Sequence, residues 1–163
     1  MIRGIHHVAI ATENLDTMLD FYVGLLGCEI VVRYDWDKGS HEADVVVGLK
    51  DSSTRHAMIK AGNAYIELFQ YLTPPGRPPI RNRPVNDCGL THICFDVVGV
   101  EAEYERLKAA GVYFNGPPQV LGGMVHTIYG RDPEGNVFEI QEIIDPSVDF
   151  LMVEFSGDNQ RPD

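Results

Sequence analysis

Gly4-Ile5-His6-His7-Val8-Ala9-Ile10 is written a second time as Gly89-Leu90-Thr91-His92-Ile93-Cys94-Phe95, with His7 and His92 separated by 85 residues (92 − 7). Self-similarity at a fixed spacing marks a duplicated unit. Each copy is a short run rich in β-branched and aromatic residues, the composition of a half-buried strand. The same shift sets Leu15 on Val100, so the segment Leu15–Leu26 corresponds to Val100–Ala110, one residue shorter. In the first segment Leu15, Met18, Leu19, Tyr22 and Leu25 or Leu26 recur at three- and four-residue steps, and in the second Val100, Tyr104, Leu107 and Ala110 do so, which predicts a helix in each. Both segments end in glycine, Gly27 and Gly111, as suits a helix C-terminus that turns through positive φ. The chain reads as two copies of one strand-helix-strands unit.

Around that echo, alternation in Gly4–Ala11 puts Ile5, His7, Ala9 and Ala11 on one face and His6, Val8 and Ile10 on the other. Asn14 is the expected N-cap of the first helix. A strand over 28–34 follows, then a polar, irregular insertion over 35–55 interrupted by Val45-Val46-Val47, then strands over 56–60 and 64–71. In the last of these Tyr65, Glu67, Phe69 and Tyr71 face one way and Ile66 and Leu68 the other. Residues 73–87 hold five prolines and three arginines, too many prolines for a helix or a central strand, and form a linker. Half two predicts a strand over 90–97, the helix, an irregular piece through Gly116-Pro117-Pro118, a strand near 124–129, the turn Asp132-Pro133-Glu134-Gly135 and a closing strand over 136–143. The boundaries are 1–73 for the first module, 74–88 for the linker, 89–145 for the second module and 146–163 for a tail with an apolar patch, Phe150–Phe155.

The 163 residues, 44% of them hydrophobic, suffice for a core. A net charge of −11 and a pI near 4.8 argue against a nucleic-acid or anionic-membrane partner, each of which calls for a basic face. A small-molecule partner is expected instead. No apolar run reaches the roughly 18 residues of a membrane span and no signal-peptide pattern opens the chain, so a cytoplasmic protein is expected. Cys28, Cys88 and Cys94 show no C-x-x-C spacing and read as small hydrophobes.

Four residues carry chemistry: His7 and Glu67 on the first and last strands of half one, His92 and Glu139 on the first and last strands of half two. A lone strand histidine is ordinarily a core residue and a lone strand glutamate ordinarily faces solvent. Here both halves repeat the same His-then-Glu order, and each glutamate sits in an apolar run where burial without a partner is costly. Two imidazoles and two carboxylates make a mixed N/O ligand set suited to one divalent ion such as Zn, Ni, Co, Mn or Fe.

The motifs Ile5-His6-His7-Val8-Ala9-Ile10 with Phe21-Tyr22 and Leu25-Leu26-Gly27, Tyr65-Ile66-Glu67-Leu68, Gly89-Leu90-Thr91-His92-Ile93 and Asp132-Pro133-Glu134-Gly135-Asn136-Val137-Phe138-Glu139 resemble the vicinal oxygen chelate superfamily, the group of glyoxalases, bleomycin-resistance proteins and extradiol dioxygenases. The resemblance implies an α+β fold of two tandem βαβββ modules forming a cupped mixed sheet around a metal site. It further implies metal ligation by His7, Glu67, His92 and Glu139, with substrate oxygens bound directly to the metal. Within the superfamily the chain looks most like methylmalonyl-CoA epimerase, with bacterial glyoxalase I a near relative. It departs at Glu67, where epimerases often carry glutamine and glyoxalase I glutamate, and the insertion over 35–55 matches neither.

The function expected on this basis is a metal-dependent epimerase, isomerase or lyase that acts on a small carbonyl compound through a metal-stabilised enolate. Its acid/base group would be Glu67 or Glu139, or Glu42 of the insertion. An extradiol-type ring-cleaving dioxygenase is the second reading, and a drug- or metabolite-binding module of the bleomycin-resistance type the third. His126 and Tyr129, near the closing strand, are expected to line the substrate pocket. Arg77, Arg81 and Arg83 are a cationic cluster able to meet a carboxylate or phosphate of the substrate. A homodimer is expected.

Overall fold

A computed structural model describes residues 1–152, so Val153–Phe155 of the apolar tail patch lie outside the described residues. The chain is α+β and divides into two compact units. One is Met1–Arg83 with Pro133–Gly135; the other is Pro84–Asp132 and Asn136–Asp163, described as far as Met152.

The first unit carries strands β1 (His7–Ala11), β2 (Glu29–Arg33), β3 (Ser53–Ala61) and β4 (Ala64–Thr73) in the order β1-β4-β3-β2. β1 lies parallel to β4 and the other pairings are antiparallel, so the first and last strands of the unit are neighbours. On β4, Ile66 and Leu68 are buried and pair with Ile59 and Ala57 of β3, giving one apolar face. Helix α1 (Leu15–Leu19) covers it with Leu15, Met18 and Leu19, all buried. Asn14 caps α1 as expected, its side chain accepting from Thr17 N at 3.0 Å. The periodicity predicted one α-helix to Leu26. The structure instead passes into a π-helical stretch over Asp20–Leu25, with Leu26 N bonded to Phe21 O at 2.9 Å, and this keeps Phe21 and Tyr22 in the core.

The insertion, expected to be irregular apart from Val45-Val46-Val47, holds a helix that includes those three valines. These residues end helix α2 (His41–Val47), which starts after Ser40, has Glu42 and Asp44 in its first turn and stops at Gly48 in the left-handed region. β-branched residues favour strands only where a neighbouring strand and a packed face reward them. Here Asp44 instead locks the segment by accepting from Asp51 N, Ser52 N and Ser52 Oγ.

The second unit repeats the plan with β5 (His92–Asp96), α3 (Val100–Ala109), β6 (Tyr113–Phe114), β7 (Gln119–Leu121), β8 (Val125–Arg131) and β9 (Val137–Ile143), in the order β5-β9-β8-β6 with β7 also on β8. β5 is parallel to β9, as β1 is to β4. The short strand β6 falls within the piece expected to be irregular and β7 just after it; Gly116-Pro117-Pro118 separates them, and each is too short to show an alternation. Val100, Tyr104 and Leu107 of α3 are buried, as are Phe138 and Ile140 of β9, and Phe114 stacks edgewise on both Tyr104 and Phe138. Gly27 and Gly111 both take positive φ after their helices, as expected.

The duplication extends to the helix starts. Three residues after Glu67, Gln70 Oε1 accepts from Leu15 N at 3.3 Å; three residues after Glu139, the Glu142 carboxylate accepts from Gly99 N and Val100 N, both at 3.0 Å. These bonds satisfy N–H groups that a helix start leaves without partners, and they tie each helix to the strand bearing its unit's candidate ligand.

Candidate functional site

In the first unit parallel pairing sets Ala9 opposite Glu67 and His7 opposite Tyr65, so His7 and Glu67 are diagonal neighbours on one face. His7 Nε2 lies 3.1 Å from Glu67 Oε2. In the second unit Cys94 is opposite Glu139 and His92 opposite Val137, and His92 Nε2 lies 3.1 Å from Glu139 Oε2. The four ligand candidates thus come together as two equivalent pairs, one per unit. The spacing within each pair suits two donors of one divalent ion: two ligand atoms each about 2.1 Å from one ion and at a right angle are separated by about 3.0 Å. Among the described residues no group of three or more His, Cys, Asp or Glu is arranged to hold an ion.

The second oxygen of each carboxylate is also held. Glu139 Oε1 accepts from Thr127 Oγ1. Glu67 Oε1 lies 3.4 Å from His56 Nε2, in ion-pair range but off hydrogen-bond geometry, so both ring nitrogens of the buried His56 have no hydrogen-bond partner. His56 and Thr127 are equivalent by register, each paired with the residue two after its glutamate, Phe69 and Gln141 respectively. Sequence reasoning passed over both; the signal available was their place in strands that pair with the glutamate strand.

His6 was expected on the face opposite His7. β1 begins only at His7, and strand alternation does not bind a residue ahead of the strand. The His6 ring stacks on Tyr65 at 4.9 Å and its Nδ1 lies 2.9 Å from His7 Nδ1.

Tyr129 sits opposite Glu139 with its ring 4.6 Å from that of His92, and burial, then the charge of Glu139, raises its phenol pKa. Burial and Glu139 push the neighbouring Cys94 thiol to about 12. His126, one strand position away from Thr127 and so on the other face, pairs with Glu101 at 3.3 Å. Glu42 is exposed in the first turn of α2. Arg77 lines a cavity of ≈ 290 Å³ with Thr12, Glu13, Tyr71 and Glu134 among its walls. The Glu134 carboxylate there accepts from Thr12 Oγ1 at 2.5 Å, Glu13 N at 2.9 Å and Asn14 N at 3.1 Å. Arg81 donates to Pro133 O at 2.5 Å and reaches Glu13 at 3.5 Å, and Arg83 N bonds Ile80 O at 3.1 Å.

The insertion also serves this face. Trp36 Nε1 donates to Ser52 Oγ at 3.0 Å, and its ring lies 6.0 Å from Phe69 and 6.3 Å from Tyr71, which share the Glu67 face of β4. An aromatic wall therefore continues from the His7–Glu67 pair. Among the described residues no helix is long and apolar enough to cross a membrane.

Comparison with known proteins agrees with this architecture. The model of the Glyoxalase/Bleomycin resistance protein/Dioxygenase superfamily matches residues 4–140. The chain is 29% identical over 148 residues to an ethylmalonyl-CoA/methylmalonyl-CoA epimerase of Cereibacter sphaeroides, covering 88% of this chain and 100% of that protein. It is 30% identical over 126 residues to a 2-epi-5-epi-valiolone epimerase of Actinomyces, covering 72% of this chain but only 64% of that protein's length. A solved glyoxalase family protein from Bacillus cereus superposes with a TM-score of 0.79 at 26% identity, covering 89% of this chain and 97% of that one. With the duplicated sheet, the repeated His–Glu pairs and a family match over most of its length, the chain belongs to the Glyoxalase/Bleomycin resistance protein/Dioxygenase superfamily.

Proposed function

We propose that the protein is an epimerase, isomerase or lyase that moves a proton beside the carbonyl of a small molecule, with His7, Glu67, His92 and Glu139 as ligands of a divalent ion. The observation that carries the reading is the recurrence, in both units, of an imidazole Nε2 and a carboxylate oxygen 3.1 Å apart. Such spacing in one unit could be a simple ion pair. Its repetition at equivalent strand positions, beside relatives that are epimerases, favours a shared chemical purpose.

Each histidine would offer Nε2, and each glutamate an oxygen. An ion held by these donors supplies Lewis-acid stabilisation of charge on substrate oxygens. Glu67 or Glu139 is the proton acceptor at a carboxylate oxygen, since these carboxylates stand on the sheet face of the candidate ligands while Glu42 lies exposed on α2. Tyr129, whose phenol stays protonated at neutral pH, can donate a hydrogen bond to a substrate oxygen. The wall of Phe69, Tyr71 and Trp36 takes an apolar face of the substrate, and Arg77 in the adjoining cavity meets an anionic group. A homodimer in solution and a small-molecule substrate belong to this reading.

The test is elemental analysis of the purified chain, with a screen for exchange of substrate hydrogen against solvent deuterium over 2-substituted acyl thioesters and α-hydroxy ketones. Metal uptake with exchange supports the proposal. A chain that takes up no Zn, Ni, Co, Mn or Fe, and shows no thermal shift with them, refutes it in favour of a binding module.

A further inference from the structure

We infer that His6 and Thr91 are positioning residues that hold the imidazoles of His7 and His92 in the one tautomer able to ligate a metal through Nε2; this rests on the metal reading above. The two stand at equivalent places in the duplication, each immediately before its histidine. His6 Nδ1 lies 2.9 Å from His7 Nδ1, and Thr91 Oγ1 lies 2.8 Å from His92 Nδ1. In both units the opposite nitrogen, Nε2, faces the glutamate at 3.1 Å.

A neutral imidazole carries one proton, and the nitrogen that binds a metal must be the one without it. The proton then sits on Nδ1 and needs an acceptor. The Thr91 hydroxyl oxygen is such an acceptor for His92 Nδ1–H. The Nδ1-to-Nδ1 contact in the first unit admits a single proton between the rings. Only the arrangement with His7 Nδ1–H donating to His6 Nδ1 leaves His7 Nε2 as a lone pair, and His6 then carries its own proton on Nε2. Stacking on Tyr65 holds the His6 ring in place for this. Two chemically different acceptors, an imidazole and a hydroxyl, meet the same atom of the same residue in two separately packed units. That is the signature of a requirement on the histidine rather than of chance surface contact. Partners of this kind, which fix ring orientation and raise ligand basicity, typically change metal affinity by about 10–100-fold when removed.

The experiment measures Zn and Co affinity of the full chain by competition with a chromogenic chelator, comparing the parent with Thr91→Val and Thr91→Ser, and with His6→Phe and His6→Asn. Valine keeps the shape of threonine without the acceptor, and serine restores it; phenylalanine keeps the ring on Tyr65 without the nitrogen, and asparagine restores an acceptor. The expected result is affinity weakened about tenfold or more in Thr91→Val and His6→Phe, returning close to the parent value in Thr91→Ser and His6→Asn, while the melting temperature of the metal-free chain stays unchanged because both side chains are exposed. Equal affinity in all five proteins overturns the assignment and leaves the metal reading standing. Loss that serine and asparagine do not repair, or that tracks a fall in metal-free stability, also overturns it. A parent chain that binds no metal overturns the metal reading and this assignment together.

Discussion

Removing the carboxylate of Glu142 is expected to loosen the start of α3, and to do so most where that carboxylate is ionised. Its two oxygens accept from Gly99 N and Val100 N, both at 3.0 Å. Loss of a helix cap costs about 0.5–2 kcal/mol, and because both oxygens are engaged and the acceptor is charged, Glu142→Ala belongs in the upper part, about 1–2 kcal/mol. For a chain of this length each kcal/mol moves the melting temperature by about 2–4 °C, giving a fall of about 2–8 °C near neutral pH. Glu142→Gln keeps one oxygen as acceptor, as Gln70 does for α1, and is expected to lose about half as much. The bonds from Gly99 and Val100 hold the Glu142 pKa below the ordinary value of 4.5. A depressed folded pKa means that the charge-dependent part of this contribution is fully present above about 4.5, the unfolded value, and is lost as pH falls through the lower folded value. Thermal melts followed by circular dichroism at about pH 7 and about pH 3 should therefore show a gap between parent and Glu142→Ala that narrows in acid toward the gap between Glu142→Gln and Glu142→Ala. A gap of the same size at both pH values, or none at pH 7, refutes the argument that the charged cap anchors the helix.

Three further outcomes follow from the structure. On the proposed ligand set, His92→Ala and Glu139→Ala should each reduce metal content from about one ion per chain to a trace in elemental analysis; full retention in either variant would remove that residue from the site. Gly130→Ala should destabilise by about 1–3 kcal/mol, because a Cβ there would stand 2.6 Å from Phe138 Cζ and 2.9 Å from Phe114 Cε1; an unchanged denaturation midpoint would show that the two rings yield freely. With a turned-over substrate, an oxygen electrode should record no uptake and Zn, Co or Ni should support turnover, whereas oxygen consumption on catechol-type substrates restored only by Fe or Mn would replace proton transfer with ring cleavage.

The duplication, the four main strands at sites such as His7 and Glu139, and the faces of β4 were legible because each rests on local periodicity: two residues per repeat in a strand, three to four in a helix. The same local logic named His7, Glu67, His92 and Glu139, because a carboxylate written into Tyr65-Ile66-Glu67-Leu68-Phe69 conflicts with its neighbours in a way the chain itself displays. Where local signals were weak or misleading, contacts between distant residues decided. Val45-Val46-Val47 became the end of a helix once Asp44 bound Ser52 and Asp51, a preference no three-residue window contains. The segment after Asp20 widened into a π-helix that the apolar spacing did not announce.

At the site the division is sharper. Which residues could ligate is a matter of side-chain type and strand phase, and both are properties of the sequence. Which atoms face one another depends on strand order and register, and these are settled by pairing across the sheet: β1 beside β4 and β5 beside β9 set each imidazole against its carboxylate, and β3 and β8 bring His56 and Thr127 to the far oxygen of that carboxylate. His6 shows the limit most plainly. Alternation placed it away from His7, but the strand begins one residue later, leaving the His6 ring to be positioned by its stack on Tyr65, 59 positions further along the chain (65 − 6). Sequence named the candidate ligands; the tertiary structure determined what stands behind them, because hydrogen bonds between side chains are fixed by three-dimensional proximity and not by spacing along the chain.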